Sequence, residues 1–397
     1  IFLSTKSEVI NLDFKIYLNS VKYSTIILLI VCLIYIVLNY KYLYKNINLL
    51  TISSSSLILT LYFTMLIHTD KLAISSPTIL LMFLMLILYS IIRIEYKKVL
   101  LILFVISLIN FSFVAFQVIE VIPIAQENIR ESLFDIGNRP TGIFFNAFAM
   151  GYAMAICFII FIFELIKKNY SKIYIFGSFL SFISLYFSGT RTSLVFTIIL
   201  TFLVFILVRY KPKKLNQVVL FSTPLLAGFL PLVLIIFGNI FNLSGLSNLN
   251  GRTLLWSCVV DKWQDFLPFG VGVQAAFPQG FCSDDVWFSK LRHPENMFLL
   301  TYVEAGLLGL FTLIALFLVA FLLSNKLAKL GNLAPWAIST IFLLSSVFYV
   351  PLFHYLPFLP NRTADRGIFN FFLMTIIWIV FLRYGVRDKI SADNPKN

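Results

Sequence analysis

The chain has 397 residues, of which 59% are hydrophobic and 12% charged, and its mean hydropathy is +0.92. A composition this apolar predicts a polytopic membrane protein and excludes a water-soluble domain. The net charge of +13 does not indicate a nucleic acid partner, because the basic residues lie in short loops without a basic helix or an aromatic-interleaved patch.

Apolar runs long enough to cross a hydrocarbon core of about 30 Å recur along the whole chain. They predict an all-α fold in a single polytopic membrane domain over residues 1–397, with a large outward loop at residues 242–294. We expect eleven transmembrane helices, over residues 21–38, 49–67, 77–92, 99–119, 142–166, 173–189, 192–208, 216–241, 295–323, 333–356 and 367–383.

The charges of the connecting loops predict the orientation, because Lys and Arg near helix ends are retained on the cytoplasmic side. One alternate set of loops is basic and is assigned to the cytoplasm: it carries Lys41, Lys45, Arg93, Lys97, Lys98, Lys167, Lys168, Lys172, Arg209, Lys211, Lys213, Lys214, Lys326, Lys329, Arg383, Arg387 and Lys389. The other set mixes charges and faces outward, as with Glu120, Arg130, Asp261, Lys262 and Asp285. With eleven helices and a cytoplasmic C-terminus, Ile1 would lie outside, so we expect a further helix before it and about twelve in all.

The cysteines and the short motifs limit which disulfides, metal sites and phosphate-binding loops the chain can form. Cys258 and Cys282 fall in the outward loop, where an oxidising compartment permits a disulfide, but spacing alone leaves the pairing open. The sequence contains no metal-binding spacing of His and Cys and no phosphate-binding GxxxxGK(S/T) loop. We therefore predict no metal and no cofactor, and an ATP-driven pump is disfavoured.

Three arginines near the outward side are candidate phosphate ligands. Arg139 opens RPTGIFFN, Arg191 lies in SGTRTSL between two apolar runs, and Arg252 follows Gly251. A guanidinium presents a planar fork of donors that suits phosphate oxygens, so the three predict a site for a lipid diphosphate. The ordinary alternative is capping of a helix or contact with lipid headgroups. Capping or headgroup contact explains Arg191 less well, because a cation held close to hydrocarbon needs an anionic partner.

The segment RHPEN offers two candidate general bases, His293 and Glu295. Histidine is the better base near neutral pH, although a lone loop histidine is more often a surface residue. Asp284, Asp285 or no general base at all remain alternatives.

The series GRTLLW, LPFGVG, HPEN and EAGLLG, with SGTRTSL and RPTGIFFN upstream, resembles the O-antigen ligase and O-antigen polymerase superfamily. The resemblance implies a type-C glycosyltransferase fold in the bacterial inner membrane, with the active site facing the periplasm. It implies inverting, metal-independent transfer from an undecaprenyl diphosphate-linked oligosaccharide, in lipopolysaccharide or another polysaccharide biosynthesis. By motif, Arg191 and Arg252 match the arginines thought to hold the donor diphosphate, Arg139 falls at a recurrent position, and residues 242–294 cover the active site.

The position that Glu295 occupies in this chain bears on the choice between the ligase and polymerase branches of this family. In the ligase pattern a histidine precedes Asn, Ser or Gln, then nine residues and GxxG; Asn296, Gly306 and Gly309 fit, but Glu295 stands where the histidine belongs. That departure favours the polymerase branch, in which donor and acceptor are both undecaprenyl-linked and a chain-length regulator is an implied partner. A ligase, with lipid A-core as acceptor, is the alternative. In another class, a lipid-linked glycan flippase or anion permease is disfavoured, because the Gly and Pro breaks cluster toward the outer side.

Overall fold

The computed structural model describes residues 49–68, 96–121, 139–144, 147–167, 171–210, 213–240, 252–272, 296–329 and 331–348, together with Ile34 and Leu38. Every regular element in these ranges is helical, which agrees with the predicted all-α class. The predicted helices over residues 77–92 and 367–383, and most of 21–38, lie outside the described residues, so the count of eleven stays a prediction.

The described elements follow the apolar runs of the sequence. They are α1 (Leu49–His68), α2 (Tyr96–Val118), α3 (Ala147–Ile166), α4 (Lys172–Phe187), α5 (Arg191–Tyr210), α6 (Lys213–Ile240), α7 (Arg252–Asp261), α8 (Met297–Lys329) and α9 (Ala334–Phe348), with 3-10 helices at Gly142–Phe144 and Trp263–Phe266. Each α-helix except α7 overlaps a predicted span. Helix α7 lies within residues 242–294, where a loop was predicted.

Four of the described helices are long and apolar enough to cross a membrane: Lys97–Val118, Ala147–Ile166, Arg191–Arg209 and Met297–Lys329. Three shorter apolar helices accompany them, over Lys172–Phe187, Val219–Pro231 and Ala334–Val347. Together with their exposed Leu, Ile and Phe side chains, these helices indicate a multi-pass membrane protein, because such faces are stable only against lipid.

Helix α3 is the centre of the bundle and packs against α4, α5 and α9. Its first two and a half turns carry a small residue at every second position, namely Ala147, Ala149, Gly151, Ala153 and Ala155, all of them buried. Small side chains let neighbouring helix backbones approach closely, which is how helices associate where lipid removes the hydrophobic driving force.

The charges separate between the two ends of the bundle. The end where α4 finishes and α5 begins carries Arg139 and Arg191, and we call it the arginine end. The opposite end, the lysine end, carries Lys97, Lys98, Lys167, Lys172, Arg209, Lys213, Lys214, Lys326 and Lys329 at the helix termini. This separation follows the alternation of loop charge in the sequence.

Helix α6 contains Pro224 and Pro231 and keeps its hydrogen bonding by a tertiary contact. Pro224 has no N–H, so the carbonyl of Leu220 one turn earlier lacks its helical donor. The indole Nε1 of Trp336 on α9 donates to that carbonyl at 3.0 Å, and the Trp336 side chain is fully buried. The proline is tolerated within the bundle because a neighbouring helix replaces the lost donor.

Candidate functional site

A three-residue turn, Ser188 to Thr190, joins α4 to α5 directly before Arg191. Gly189 takes φ +62°, a conformation that a residue with a Cβ adopts only at a cost. The Ser188 hydroxyl donates to the carbonyl of Leu185 at 2.6 Å and lies 2.7 Å from Thr190 Oγ1, which also hydrogen bonds Ser193 Oγ. These hydroxyls are buried and hold the turn, so they stabilise it rather than face a ligand.

The turn packs on the small-residue stretch of α3. A Cβ at Gly151 would lie 2.0 Å from Thr190 Oγ1 and 2.8 Å from Ser188 Oγ, so no larger residue fits there. The Tyr152 hydroxyl lies 3.3 Å from Thr192 Oγ1 on the first turn of α5. The start of α5 is therefore stabilised by packing against α3 and by the hydrogen bonds among the hydroxyls of Ser188, Thr190 and Ser193.

Arg191 is the first residue of α5, and its side chain is exposed. Among the described residues, no acidic side chain pairs with it. The N-terminus of a helix carries a partial positive charge, so a guanidinium at this position adds like charge to like charge. An anion bound here would relieve that repulsion and would meet both the guanidinium and the helix dipole.

Arg139 lies against the same turn. A Cβ at Gly189 would stand 3.1 Å from Arg139 Nε and 3.4 Å from Cδ, so the absence of a side chain at Gly189 makes room for the arginine. The guanidinium carbon of Arg139 lies 5.8 Å from the ring centroid of Phe148, within the range of a cation–π contact. The structure thus brings two of the three predicted arginines to one turn, and their role in binding stays a prediction.

Two buried amides of α2, which the sequence reasoning missed, hold the segment that carries Arg139. Gln117 Oε1 accepts hydrogen bonds from the backbone N–H groups of Thr141 and Gly142, both at 2.9 Å. Asn110 Oδ1 accepts from Ile143 N at 3.1 Å, and a Cβ at Gly142 would lie 2.0 Å from this oxygen. The available signal was two amides seven residues apart in an apolar run, which places them on one helix face.

The other predicted site residues are only partly described. Arg252 is the first residue of α7, and its side chain lies outside the described part of the structure. His293, Glu295, Asp284 and Asp285 also lie outside the described residues. Their assigned roles stay predictions.

Asn296, the last residue of HPEN, caps α8. Its Oδ1 accepts hydrogen bonds from Phe298 N at 3.0 Å and Leu299 N at 3.1 Å, which serve two of the N–H groups that a helix start leaves unpaired. Its Nδ2 donates to the carbonyl of Val347 on α9 at 3.1 Å. The amide therefore has a structural role, which gives a physical reason for this residue type at this position.

The EAGLLG motif contains a break in α8. Gly306 has φ 63° and ψ −157°, and the segment LPFGVG enters at this break. A Cβ at Gly306 would lie 2.0 Å from the carbonyl oxygen of Pro268, and a Cβ at Gly270 would lie 2.5 Å from the carbonyl oxygen of Glu304. Both glycines are required because two backbones touch. The side chain of Glu304 is buried, 4% exposed, directly beside this contact.

Cys258 on α7 is disulfide-bonded. A pairing of Cys258 with Cys282 was one of the possibilities that the sequence left open, and Cys282 lies outside the described residues.

Residues 176–314 match a family model described as O-antigen ligase. The matched interval runs from α4 to beyond the break in α8, and it includes Arg191, Arg252 and the LPFGVG and EAGLLG motifs. No curated protein matches the chain. The match confirms the resemblance read from the sequence and supports the O-antigen polymerase and ligase superfamily, an enzyme family of the glycosyltransferase type. Arg139 and its amide supports lie before the matched interval.

Proposed function

We propose, from the O-antigen ligase family domain over residues 176–314, that this chain is a surface polysaccharide polymerase. It joins undecaprenyl diphosphate-linked repeat units by transferring the growing chain from its diphosphate carrier to a sugar hydroxyl of the incoming unit. The reaction inverts the anomeric centre, and the active site lies on the periplasmic face of the inner membrane. The observation that carries the proposal is that Arg139 and Arg191 both adjoin the Ser188–Thr190 turn at the arginine end.

The leaving group of this reaction is a diphosphate, which gains negative charge as the glycosidic bond breaks. Groups aimed at developing charge in a water-poor site are usually the largest single contribution to catalysis. Arg191, at the positive end of the α5 dipole, supplies such a group, and Arg139 and Arg252 supply two more guanidinium forks. These residues provide charge stabilisation without a metal, as the family resemblance implies.

The acceptor hydroxyl must lose its proton as it attacks, so a base is required. We assign this role to His293, with Glu295 as the alternative, because both precede the Asn296 cap in the RHPEN segment. The described structure resumes one residue later, at Asn296, whose side chain caps α8.

The ligase remains the second candidate, and a specific observation favours it. Asn296, Gly306 and Gly309 keep the ligase spacing, and each has a physical role. Asn296 caps α8, and Gly306 forms the positive-φ break in that helix. Gly309 lies in a close contact, where a Cβ would stand 2.4 Å from Ala305 Cβ. Glu295 at the ligase histidine position favours the polymerase. Transport is less well supported, because the backbone groups freed at Gly306 bond to LPFGVG rather than remaining for a substrate.

The test compares surface glycans from cells that lack this protein and re-express the wild type, Arg191→Ala or Arg209→Ala. Arg209 is the matched control, because it lies on the same helix at the lysine end. The polymerase proposal predicts core bearing a single repeat unit in the deletion and in Arg191→Ala, with normal polymer from the wild type and Arg209→Ala. Polymer accumulating on undecaprenyl diphosphate with bare core would establish the ligase instead, and normal polymer from Arg191→Ala would remove the diphosphate-site argument.

A further inference from the structure

An apolar groove of about 370 Å³ lies between α6, α7, α9 and the start of α8. One face of α6 forms its floor, with Pro224, Gly228 and Pro231. Its walls include Phe229, Trp256 and Leu343. None of the arginine-end contacts described above accounts for it.

The floor of the groove follows from the sequence of α6. Positions 224, 228 and 231 are spaced by four and three residues, so they share one face of the helix. None of the three carries a long side chain, and the resulting space stays open because Gly228 has no side chain at all. A Cβ built at Gly228 would meet only Leu343 Cδ2, at 3.7 Å, which is ordinary van der Waals contact.

The groove suits hydrocarbon and does not suit a sugar. Asn296 lines one side, but its amide oxygen is bonded to Phe298 N and Leu299 N and its amide nitrogen to the Val347 carbonyl. The lining is otherwise aliphatic and aromatic, apart from the indole of Trp256. A sugar placed here would lose its hydrogen bonds to water without replacing them, at a cost of roughly 1–3 kcal/mol for each polar group.

The groove adjoins the segments that carry the candidate head-group ligands. Trp256 stands four residues after Arg252 on α7, which is about one helical turn. Asn296 directly follows Glu295 and lies three residues after His293. A ligand that reaches from the groove to these segments combines a hydrocarbon tail with an anionic head.

We propose that this groove binds the part of the isoprenoid chain next to the diphosphate of the lipid-linked substrate. The inference rests on the proposed function and extends it to the tail. The methyl branches and double bonds of an isoprenoid pack well against the aromatic walls at Phe229 and Trp256. Gly228 sets the depth of the groove and thereby the fit of the chain.

The first experiment fills the groove in the full-length protein. Gly228→Phe occupies the floor, Gly228→Ala adds only the tolerated Cβ, and Leu226→Phe adds bulk at an exposed position outside the groove. Turnover is measured with one repeat unit carried on a long carrier, an eleven-unit isoprenoid diphosphate, or on a short carrier, a methyl diphosphate that has no chain to enter the groove. We expect Gly228→Phe to raise KM for the long carrier about tenfold, as for loss of about two buried CH2 groups, and to leave the short carrier unchanged.

Gly228→Ala and Leu226→Phe are expected to behave as the wild type with both carriers. An equal effect of Gly228→Phe on both carriers would overturn the groove proposal, since a general disturbance of the fold does not distinguish tail length. No effect on either carrier would overturn it as well.

A second measurement does not depend on turnover, so it separates failure of the groove from failure of the proposed function. The purified wild type and Gly228→Phe are irradiated with a benzophenone-bearing isoprenoid diphosphate or a benzophenone-bearing fatty acid, and the labelled peptides are identified by mass spectrometry. We expect isoprenoid label on the Phe229 and Leu343 peptides in the wild type and its loss in Gly228→Phe. Equal labelling by the fatty acid would identify the groove as an ordinary site for membrane lipid and overturn the proposal.

Discussion

The backbone N–H of Leu307 donates to the carbonyl oxygen of Pro268 at 3.1 Å. In an uninterrupted helix that N–H would bond to Val303, four residues earlier. The Val303 carbonyl instead accepts from Val271 N at 2.8 Å, and the Glu304 carbonyl accepts from Gly272 N at 3.0 Å. The LPFGVG segment therefore replaces the hydrogen bonds that the break in α8 removes, as an apolar environment requires.

This replacement predicts that Gly306→Ala disrupts the contact between LPFGVG and α8. The new Cβ would lie 2.0 Å from Pro268 O, and the φ of 63° adds about 1–2 kcal/mol of backbone strain. We expect a loss of several kcal/mol in the free energy of unfolding, read as a fall in thermal midpoint in detergent. Gly331→Ala is the control, because Gly331 has φ +89° but nothing within 4 Å of a Cβ. Equal destabilisation by both changes would show that the contact with Pro268 contributes nothing.

The amide of Gln117 is predicted to support activity through Arg139. Gln117→Leu leaves the N–H groups of Thr141 and Gly142 without their acceptor, at about 1–3 kcal/mol for each buried group. We expect reduced polymer per molecule of protein in the membrane. In an Arg139→Ala background the same change should cost little further activity, because its effect passes through Arg139.

Ser112→Ala on the same helix is the control for Gln117. The Ser112 side chain is half-buried, and in the described part of the chain its hydroxyl bonds the carbonyl of Leu108 alone, so the change should alter stability by no more than about 0.5 kcal/mol. Additive losses of activity from Gln117→Leu and Arg139→Ala would show that Gln117 acts independently of the arginine.

Arg191→Glu is predicted to change stability and activity in opposite directions. A carboxylate at the start of α5 interacts favourably with the helix dipole, where a guanidinium does not, and the gain is about 0.3–1 kcal/mol. A diphosphate would be repelled, so polymer formation should be lost. Thermal midpoint and surface polymer are measured on the same variant. Retained polymer would contradict a binding role for Arg191, and a marked fall in the thermal midpoint would contradict the stated interaction with the helix dipole.

The disulfide at Cys258 is predicted to connect to Cys282 within residues 242–294. Cys258→Ser and Cys282→Ser should each lower stability by about 2–4 kcal/mol under oxidising conditions and by little after reduction. Cys157→Ala is the control, because Cys157 is a free buried thiol on α3. Peptide mapping without reduction identifies the linkage, and a Cys258 peptide joined to anything other than Cys282 would refute the pairing.

The sequence by itself determined the helical class, the approximate positions of the described helices other than α7, and the separation of charge. These follow from local composition, because an apolar run in hydrocarbon must satisfy its own backbone and a Lys or Arg at a helix end stays on one side. The resemblance to the O-antigen ligase and polymerase superfamily was also readable, from motif order rather than from any single motif, and the family model over residues 176–314 supports it. Helix α7 was missed within residues 242–294, since its ten residues include no long apolar run.

Only the tertiary structure decided how the motifs meet. Residues 142–166 read as one apolar helix, yet α3 begins at Ala147, because Gln117 and Asn110 bind the N–H groups of the preceding residues. The contact of Arg139 with Gly189, the entry of LPFGVG into α8 and the bond from Trp336 to Leu220 join residues far apart in the chain. Such contacts depend on helix direction and packing distance, and neither quantity is encoded in local composition.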